Sequence, residues 1–413
     1  ENLGLRMKVA VIGGGWAGLA AAVELTAAGI DTTLFEAGRT LGGRARSIIV
    51  DGRTLDNGQH ILLGAYRDTL ALMRQVGADP ETLLDRRPLQ IIDNSGFRLA
   101  LPTWPAPLNV AWGLLTAQGA GFGDKLKTAW WMQCVKARRF LLKGDCTVSE
   151  WLDAAGQNGP LRHHLWEPLC LAALNIPAQR ASAQVFANVL RDSLGSARRE
   201  DTDLLLPRVD LGKLLPEPAA DWLTTHGATL RFGTRIEMLA QTHSGFTIGG
   251  NNFDAAILAT AHQHASKLWP EIATNIDCEP IATIYLQFAP ETRLAFPLIN
   301  LLEKHGQWVV DRSNGLFACV LSGHGNWEAL DDDALAGALE AELKQSERSV
   351  WQKVIREKRA TFACRPGLSR PAYTTSNPRL MLAGDYTWAD YPATLEGAVR
   401  SGKRAACALI PHR

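Results

Sequence analysis

Glycines at a fixed spacing are the first residues in this chain that could do chemistry. In the stretch VIGGGWAGLAAAVEL, Gly13, Gly15 and Gly18 stand as G-x-G-x-x-G. The first permits a tight turn, the second lets backbone approach a pyrophosphate, and the third lets a helix pack on a strand. Trp16 and Ala17 fill the two free positions of the turn. The helix that follows turns its positive N-terminus toward the phosphates. Glu36, followed by Ala37, closes the run LFEA 18 residues past Gly18, where a carboxylate can bind ribose hydroxyls. These residues predict a dinucleotide site. They leave open whether it holds a nicotinamide that comes and goes or a flavin that stays. A second loop follows in LGGRARS. Gly42 and Gly43 let backbone run close to a ligand, and Arg44 can pair with phosphate. A nicotinamide fold has no need of this pair. Gly58, Gln59 and His60 come next, in DNGQHILLGAY, and the histidine can exchange a proton near neutral pH.

These groups need elements to hold them. KVAVIGG reads as a buried strand, WAGLAAAVELTAAG as a helix ended by Gly29, and DTTLFEA as a second strand. That is one βαβ unit of about thirty residues. From Tyr66 to about Glu200 the pattern is mostly helical, as in YRDTLALMRQVG, DKLKTAWWMQCVKARRFLL and ASAQVFANVLRDSLG. After Pro207 α/β signals return. LGKLLPEPAADWLTTHG starts a helix, TLRFGTRIEMLAQTHSGFTIGG is a run of short strands, and FDAAILAT is a buried strand. IATIYLQFA, QWVVDRS and LFACVLSG predict strands of a second sheet, and DDDALAGALEAELKQ a helix with acids at its N-terminus. RLMLAGD is a last strand and TLEGAVRSGKRAACAL a last helix. The fold class is α/β with two interleaved domains. Residues 7–65, 203–270 and 372–413 should hold the dinucleotide, and 66–202 and 271–371 a substrate in a mixed sheet-plus-helices domain.

A chain of 413 residues suits two domains. Its net charge of +1 suggests neither nucleic acid nor an acidic partner. Seven single cysteines without a CxxC pair point to a reducing compartment, with no disulfide framework and no metal site. No signal peptide is visible, and Glu1–Arg6 reads as an upstream leftover before Met7.

With G-x-G-x-x-G, the acid ending the second strand and G-G-R all present, the sequence resembles the flavin-containing amine oxidase and phytoene desaturase superfamily. The far end agrees: LMLAGDYTWADYPATLEGAVRSGKRAA looks like that family's closing motif, a strand ending in Gly-Asp before a helix that begins Glu-Gly-Ala. The resemblance implies a Rossmann-like domain of the amine oxidase and glutathione reductase type holding non-covalent FAD. It implies that Gly384 and Asp385 meet the flavin's ribityl or phosphate region and that Thr394 and Leu395 lie against its ring. A helix N-terminus there would stabilise the anionic reduced flavin. It further implies that Gly58, Gln59 and His60 lie near the reacting face, with His60 a candidate proton donor, and that strand LRFGTRIEM touches adenine through the backbone of Ile236. Cys364 is badly placed for covalent flavin attachment. No second glycine motif is present to form an NAD(P)H domain, so electrons must come from an unidentified donor: a diffusible nicotinamide, or a membrane or protein partner. The aromatic residue that amine oxidases set before Glu-Gly-Ala is absent, which disfavours an amine substrate.

Residues 99–143 point to an apolar one. Leu99–Gly123 carries no charge in 25 positions, yet its prolines deny it a straight lipid-spanning helix. The next 21 residues carry six basic groups and one acid, with Trp130 and Trp131 among them. Leu126, Trp130, Cys134, Ala137 and Leu141 fall on one helical face, as in a basic helix lying on a membrane surface. The predicted location is cytoplasmic, peripheral on the inner face of the cell membrane. HLWEPLCLAALNIPAQRASAQVFANVLRDSL, with the two motifs above, resembles the squalene-associated FAD-dependent desaturase branch. That implies reductive conversion of hydroxysqualene to squalene in hopanoid or related synthesis. Acid-assisted loss of water would leave an allylic cation for hydride to quench, in a site kept dry. A carotenoid-type desaturase, or a non-catalytic flavin-fold lipid carrier or escort, are the alternatives.

Overall fold

Alternation decides the first strand. In β1 (Lys8–Ile12), Val9 and Val11 enter one apolar core while Ala10 and Ile12 enter another. Successive side chains of a strand point to opposite faces, so a run that is apolar at consecutive positions is buried on both. The computed structural model describes residues 7–272 and 275–411, which leaves Glu1–Arg6 outside the described residues. α1 (Trp16–Ala27) stops where Gly29 takes a φ of +78°, and β2 (Asp31–Phe35) returns parallel to β1.

The helical stretch opens with α2 (Arg67–Gln75), whose Leu70, Leu72 and Met73 join the same core as α1. The domain boundary expected at residue 66 therefore falls inside a shared core: α2 is amphipathic, and its apolar face closes over the dinucleotide side. Further on lie α3 (Leu108–Thr116) and α4 (Phe122–Ala137). Residues 99–143 thus form two helices behind the short strand Arg98–Ala100. α4 ends before Arg139 and Phe140, both at positive φ, so Leu141 lies beyond the helix. Thr128, Trp131 and Val135 turn inward, and Trp131 wedges edge-on between Trp151 and Trp166 at 4.8 and 5.2 Å. Trp131 is thus a core residue, a correction to its expected place at the surface, while its neighbour Trp130 is 73% exposed. Among the described residues no helix is long and apolar enough to cross a membrane.

The chain then returns to the first sheet with β3 (Thr229–Arg231) and β4 (Ala255–Leu258). The strand expected across LRFGTRIEM ends at Arg231, so Ile236 sits in irregular backbone. β5 (Cys278–Gln287), β6 (Leu298–Asn300), β7 (Trp308–Asp311), β8 (Leu316–Ser322) and β9 (Trp351–Phe362) make the second sheet, in the order β6-β7-β8-β5-β9, antiparallel throughout. One of its faces packs on α5 (Asp332–Leu343), capped by the Asp331 carboxylate as the acidic run predicts. The other carries Tyr285 toward Leu55 and so toward the loop of His60. β10 (Leu380–Leu382) completes the parallel sheet, ordered β3-β2-β1-β4-β10, and α6 (Leu395–Cys407) follows. α6 lies so close on α1 that a methyl at Gly402 would fall 2.0 Å from the Ala17 carbonyl oxygen. The α/β architecture is that of a parallel sheet interleaved with an antiparallel one.

Candidate dinucleotide and active site

The three glycines of the turn serve three different needs. Gly13 takes a φ of +110°, and a methyl there would sit 2.6 Å from the Ala259 carbonyl oxygen. At Gly18 a methyl would sit 1.8 Å from the Gly13 carbonyl oxygen, so helix and turn touch backbone to backbone. Gly15 is different. A methyl there meets only the Gly43 Cα, at 3.9 Å. Protein packing does not demand glycine at that position; the space a Cβ would fill is the cradle a pyrophosphate needs.

The G-G-R loop is laid against this cradle. Gly42 N–H donates to the Gly14 carbonyl at 2.8 Å, and the Trp16 indole N–H donates to the Ala45 carbonyl at 2.9 Å. Trp16 is therefore buried beneath the second loop and Ala17 beneath α6. Only their backbone N–H groups, unsatisfied in the first turn of a helix, can face a phosphate. Glu36 accepts from Gly14 N–H at 2.8 Å and Gly38 N–H at 2.6 Å, and each oxygen keeps a lone pair for a ribose hydroxyl. Ala37 is exposed beside it. Thr234 N–H donates to the Glu36 carbonyl at 2.9 Å, which holds the segment leading to Ile236 along this edge.

Arg44 joins the two ends of the chain. Its guanidinium donates to Asp385 at 2.8 Å and to the Ala360 carbonyl at 2.6 Å, and the Asp385 carboxylate holds it firmly cationic. Gly384 N–H donates to the Ser401 hydroxyl of α6 at 2.8 Å. The Thr394 hydroxyl caps α6 by accepting from Gly397 N–H at 3.0 Å, with Leu395 buried behind it. The Tyr386 hydroxyl, next to Asp385, is buried without a protein partner among the described residues. Buried hydroxyls rarely stay so, which marks a place for a further partner. The turn, the acid and the cradle all fit a dinucleotide.

His60 lies on the neighbouring loop. Asn57 ties that loop to Arg44, its side-chain amide donating to the Arg44 carbonyl at 3.2 Å. The His60 Nδ1 lies 3.0 Å from the Gly58 carbonyl oxygen. A carbonyl only accepts, so Nδ1 carries the proton and Nε2 presents a lone pair. Burial holds the imidazole below its usual range, and nearby Arg44 adds to this. Gln59 accepts from Arg312 at 3.1 Å, and Arg312 also pairs with the buried Asp56 carboxylate at 3.1 Å. The Tyr285 hydroxyl donates to the Asp56 carbonyl at 3.0 Å. The antiparallel sheet thus fixes the loop of His60.

Arg312, Asp56, Tyr285 and Glu396 escape a reading of the sequence. Glu396, fully buried, accepts from the backbone of Asp68 and Thr69, the Thr69 hydroxyl and Arg400. It caps α2 and does not face the cradle. Its place in Glu-Gly-Ala, at the first turn of a helix, is the signal the sequence offers for it.

Apolar material leads to the same place. Tyr386 belongs to one apolar cluster with Trp166, Trp131, Phe186 and Leu165 of the helical region. A cavity of about 30 Å³ between α3 and α4 is lined by Val110, Leu114, Thr128, Met132 and Trp166. A separate cleft of about 700 Å³ has a mixed lining, with Glu271, Arg370 and Ser376 beside Ile272, Leu368 and Leu382.

Comparison with known proteins agrees with this geometry. The chain is 32% identical to a hydroxysqualene dehydroxylase of Rhodopseudomonas palustris, over 96% of this chain and 97% of the relative. It is 25% identical to a probable zeta-carotene desaturase of Synechococcus elongatus, over 98% of each. Among solved structures, an oxidoreductase from Methanosarcina mazei superposes with a TM-score of 0.74 at 15% identity, over 97% of this chain and 100% of the other. Residues 16–410 match the family described as flavin containing amine oxidoreductase. The chain therefore belongs to that family and is an FAD-dependent oxidoreductase.

Proposed function

We propose that this enzyme reduces a long isoprenoid alcohol, converting hydroxysqualene to squalene. The observation that carries the reading is the similarity to hydroxysqualene dehydroxylases over nearly the whole chain, at 32% and 29% identity. A C30 hydrocarbon needs apolar walls, and the same walls keep water from an allylic cation. The apolar cluster of the helical region, which includes Tyr386 beside Asp385, supplies apolar surroundings on that side of the site.

The Gly15 cradle, Glu36, Arg44 and the start of α6 would hold FAD, which when bound and reduced would supply hydride chemistry at the site. The chain's own residues orient the alcohol and exclude water. His60, with its proton on Nδ1, accepts a hydrogen bond from the substrate hydroxyl at Nε2. The hydroxyl leaves as water and so must gain a proton, either from the imidazolium form of His60, which burial disfavours, or from solvent with His60 only orienting the hydroxyl. If His60 is the acid, turnover rises as pH falls; if it orients the hydroxyl, the profile is flat and His60→Gln raises KM more than it lowers kcat. The ring of Tyr391 does not replace the missing aromatic wall of an amine cage, since its hydroxyl bonds Asp192 and its face lies under Arg400.

The test is incubation of photoreduced enzyme with hydroxysqualene under anaerobic conditions, followed by chromatography of the lipids. Squalene is expected. No squalene, with dehydrogenation of a polyene by the oxidised enzyme, overturns the reading in favour of carotenoid-type desaturation, which the similarity to zeta-carotene desaturases favours next. Membership of an enzyme family sets the carrier or escort alternative aside.

A further inference from the structure

The outer side of α3 and α4 is built unlike the rest of the surface. Leu108, Trp112 and Leu115 lie one helical turn apart on α3, and Phe122, Leu126 and Trp130 do so on α4. All six are between 44% and 73% exposed. The inner sides of both helices line one cavity, so their outer sides share one solvent face. Trp104 extends this face, its ring 5.0 Å from that of Trp112, and Lys125 ties the helices by donating to the Leu115 carbonyl at 3.0 Å. A contiguous apolar patch on a monomer marks an interaction surface.

Charge says what covers it. Lys127, Lys136, Arg138, Arg139 and Lys143 are exposed around the patch, and among the described residues none forms an ion pair. The acids close by are engaged: Asp124 accepts from Leu161 N–H, and Asp145 from Ser182 and Gln184. A second copy of this chain would bring like charge against like charge. A negatively charged lipid surface neutralises it.

We propose that the outer face of α3 and α4 docks into the interfacial layer of an anionic phospholipid bilayer. The nine residues of α3 reach about 14 Å, less than half of a bilayer's apolar core, so the helices lie in the interface and do not span. Trp104, Trp112 and Trp130 take the headgroup level, the leucines and Phe122 reach the acyl boundary, and the lysines and arginines meet phosphate. Within the membrane-contacting segment 99–143 expected from the sequence, Trp131 turns inward while Trp104, Leu108 and Trp112 face out with Trp130. The docking goes beyond the isoprenoid reading, and its test involves no turnover.

FAD-loaded enzyme is sedimented with phosphatidylcholine vesicles, with and without phosphatidylglycerol. The expected result is preferential binding to the phosphatidylglycerol vesicles. Trp112→Ser with Trp130→Ser should lower the partition coefficient by about tenfold or more while flavin content and melting temperature stay unchanged. Lys127→Glu with Arg138→Glu should abolish the preference for phosphatidylglycerol. Three outcomes overturn the proposal: no binding to either vesicle, binding of the tryptophan variant equal to the parent, or a dimer in vesicle-free solution that the tryptophan variant abolishes.

Discussion

In the dinucleotide cradle the backbone is the working surface, whereas on the outer face of α3 and α4 that role falls to side chains. A methyl group at Gly18 would lie 1.8 Å from another residue's backbone oxygen. The side chain of Trp130 meets mostly solvent. The difference shows where substitution is tolerated. A site made of backbone restricts the residue type, because nothing larger than hydrogen fits. A site made of exposed side chains restricts only apolar area and charge, which many sequences supply.

The contrast can be broken or sharpened at four places. The largest effect is expected for Gly18→Ala, whose methyl meets backbone that cannot yield. It should cost about 3 kcal/mol or more and release the flavin, as read by thermal melts and flavin absorbance. A stable yellow variant would refute the backbone contact. Next comes Gly15→Ala. Its methyl meets only Gly43 at 3.9 Å, so the apoprotein should melt as the parent does while FAD affinity falls about tenfold to a hundredfold. Equal loss of apoprotein stability in both glycine variants would remove the distinction between packing and cradle.

A smaller effect follows from His60. Its folded pKa is held below the unfolded 6.5, so as pH falls the unfolded chain takes up the proton first. The stability this residue contributes is present above about pH 6.5 and is lost below it. His262 and His264 are shifted the same way by burial and act in the same window. Melting temperature should fall from about pH 6.5 downward, and His60→Gln should flatten part of that fall. An unchanged slope would place His60 in water. The smallest effect belongs to the exposed face: Trp130→Ser alone should change stability by less than about 0.5 kcal/mol in denaturant unfolding. A larger loss would mean that the residue packs against protein.

How much could be read in advance follows the same division. The turn of Gly13 to Gly18 and the pairing of Glu36 with it were legible, because φ and close approach dictate residue type. β1, β4 and β10 were legible as buried runs. α4 was legible as a helix, but which side faces inward was not. Thr128, Trp131 and Val135 form one stripe and Leu126 and Trp130 another, and periodicity cannot rank two apolar stripes on one helix. Trp16 could not be placed, since its indole bond to Ala45 depends on where the second loop lands. Nor could Arg312 be matched to Gln59, 253 residues away in sequence. The resemblance puts Ile236 in the strand LRFGTRIEM, yet pairing with β2 ends at Arg231.

The contact of Gly402 with Ala17 sets an order of events during synthesis. The glycine turn leaves the ribosome well before Asp385 and α6, which follow about 370 residues later. At roughly 10 residues per second the gap exceeds half a minute. The helical region, with its apolar patch, is made within that interval, before α6 can pack on α1. The two halves of the cradle, Gly13–Gly18 and Gly384–Asp385, therefore come together only after the helical region between them has been made.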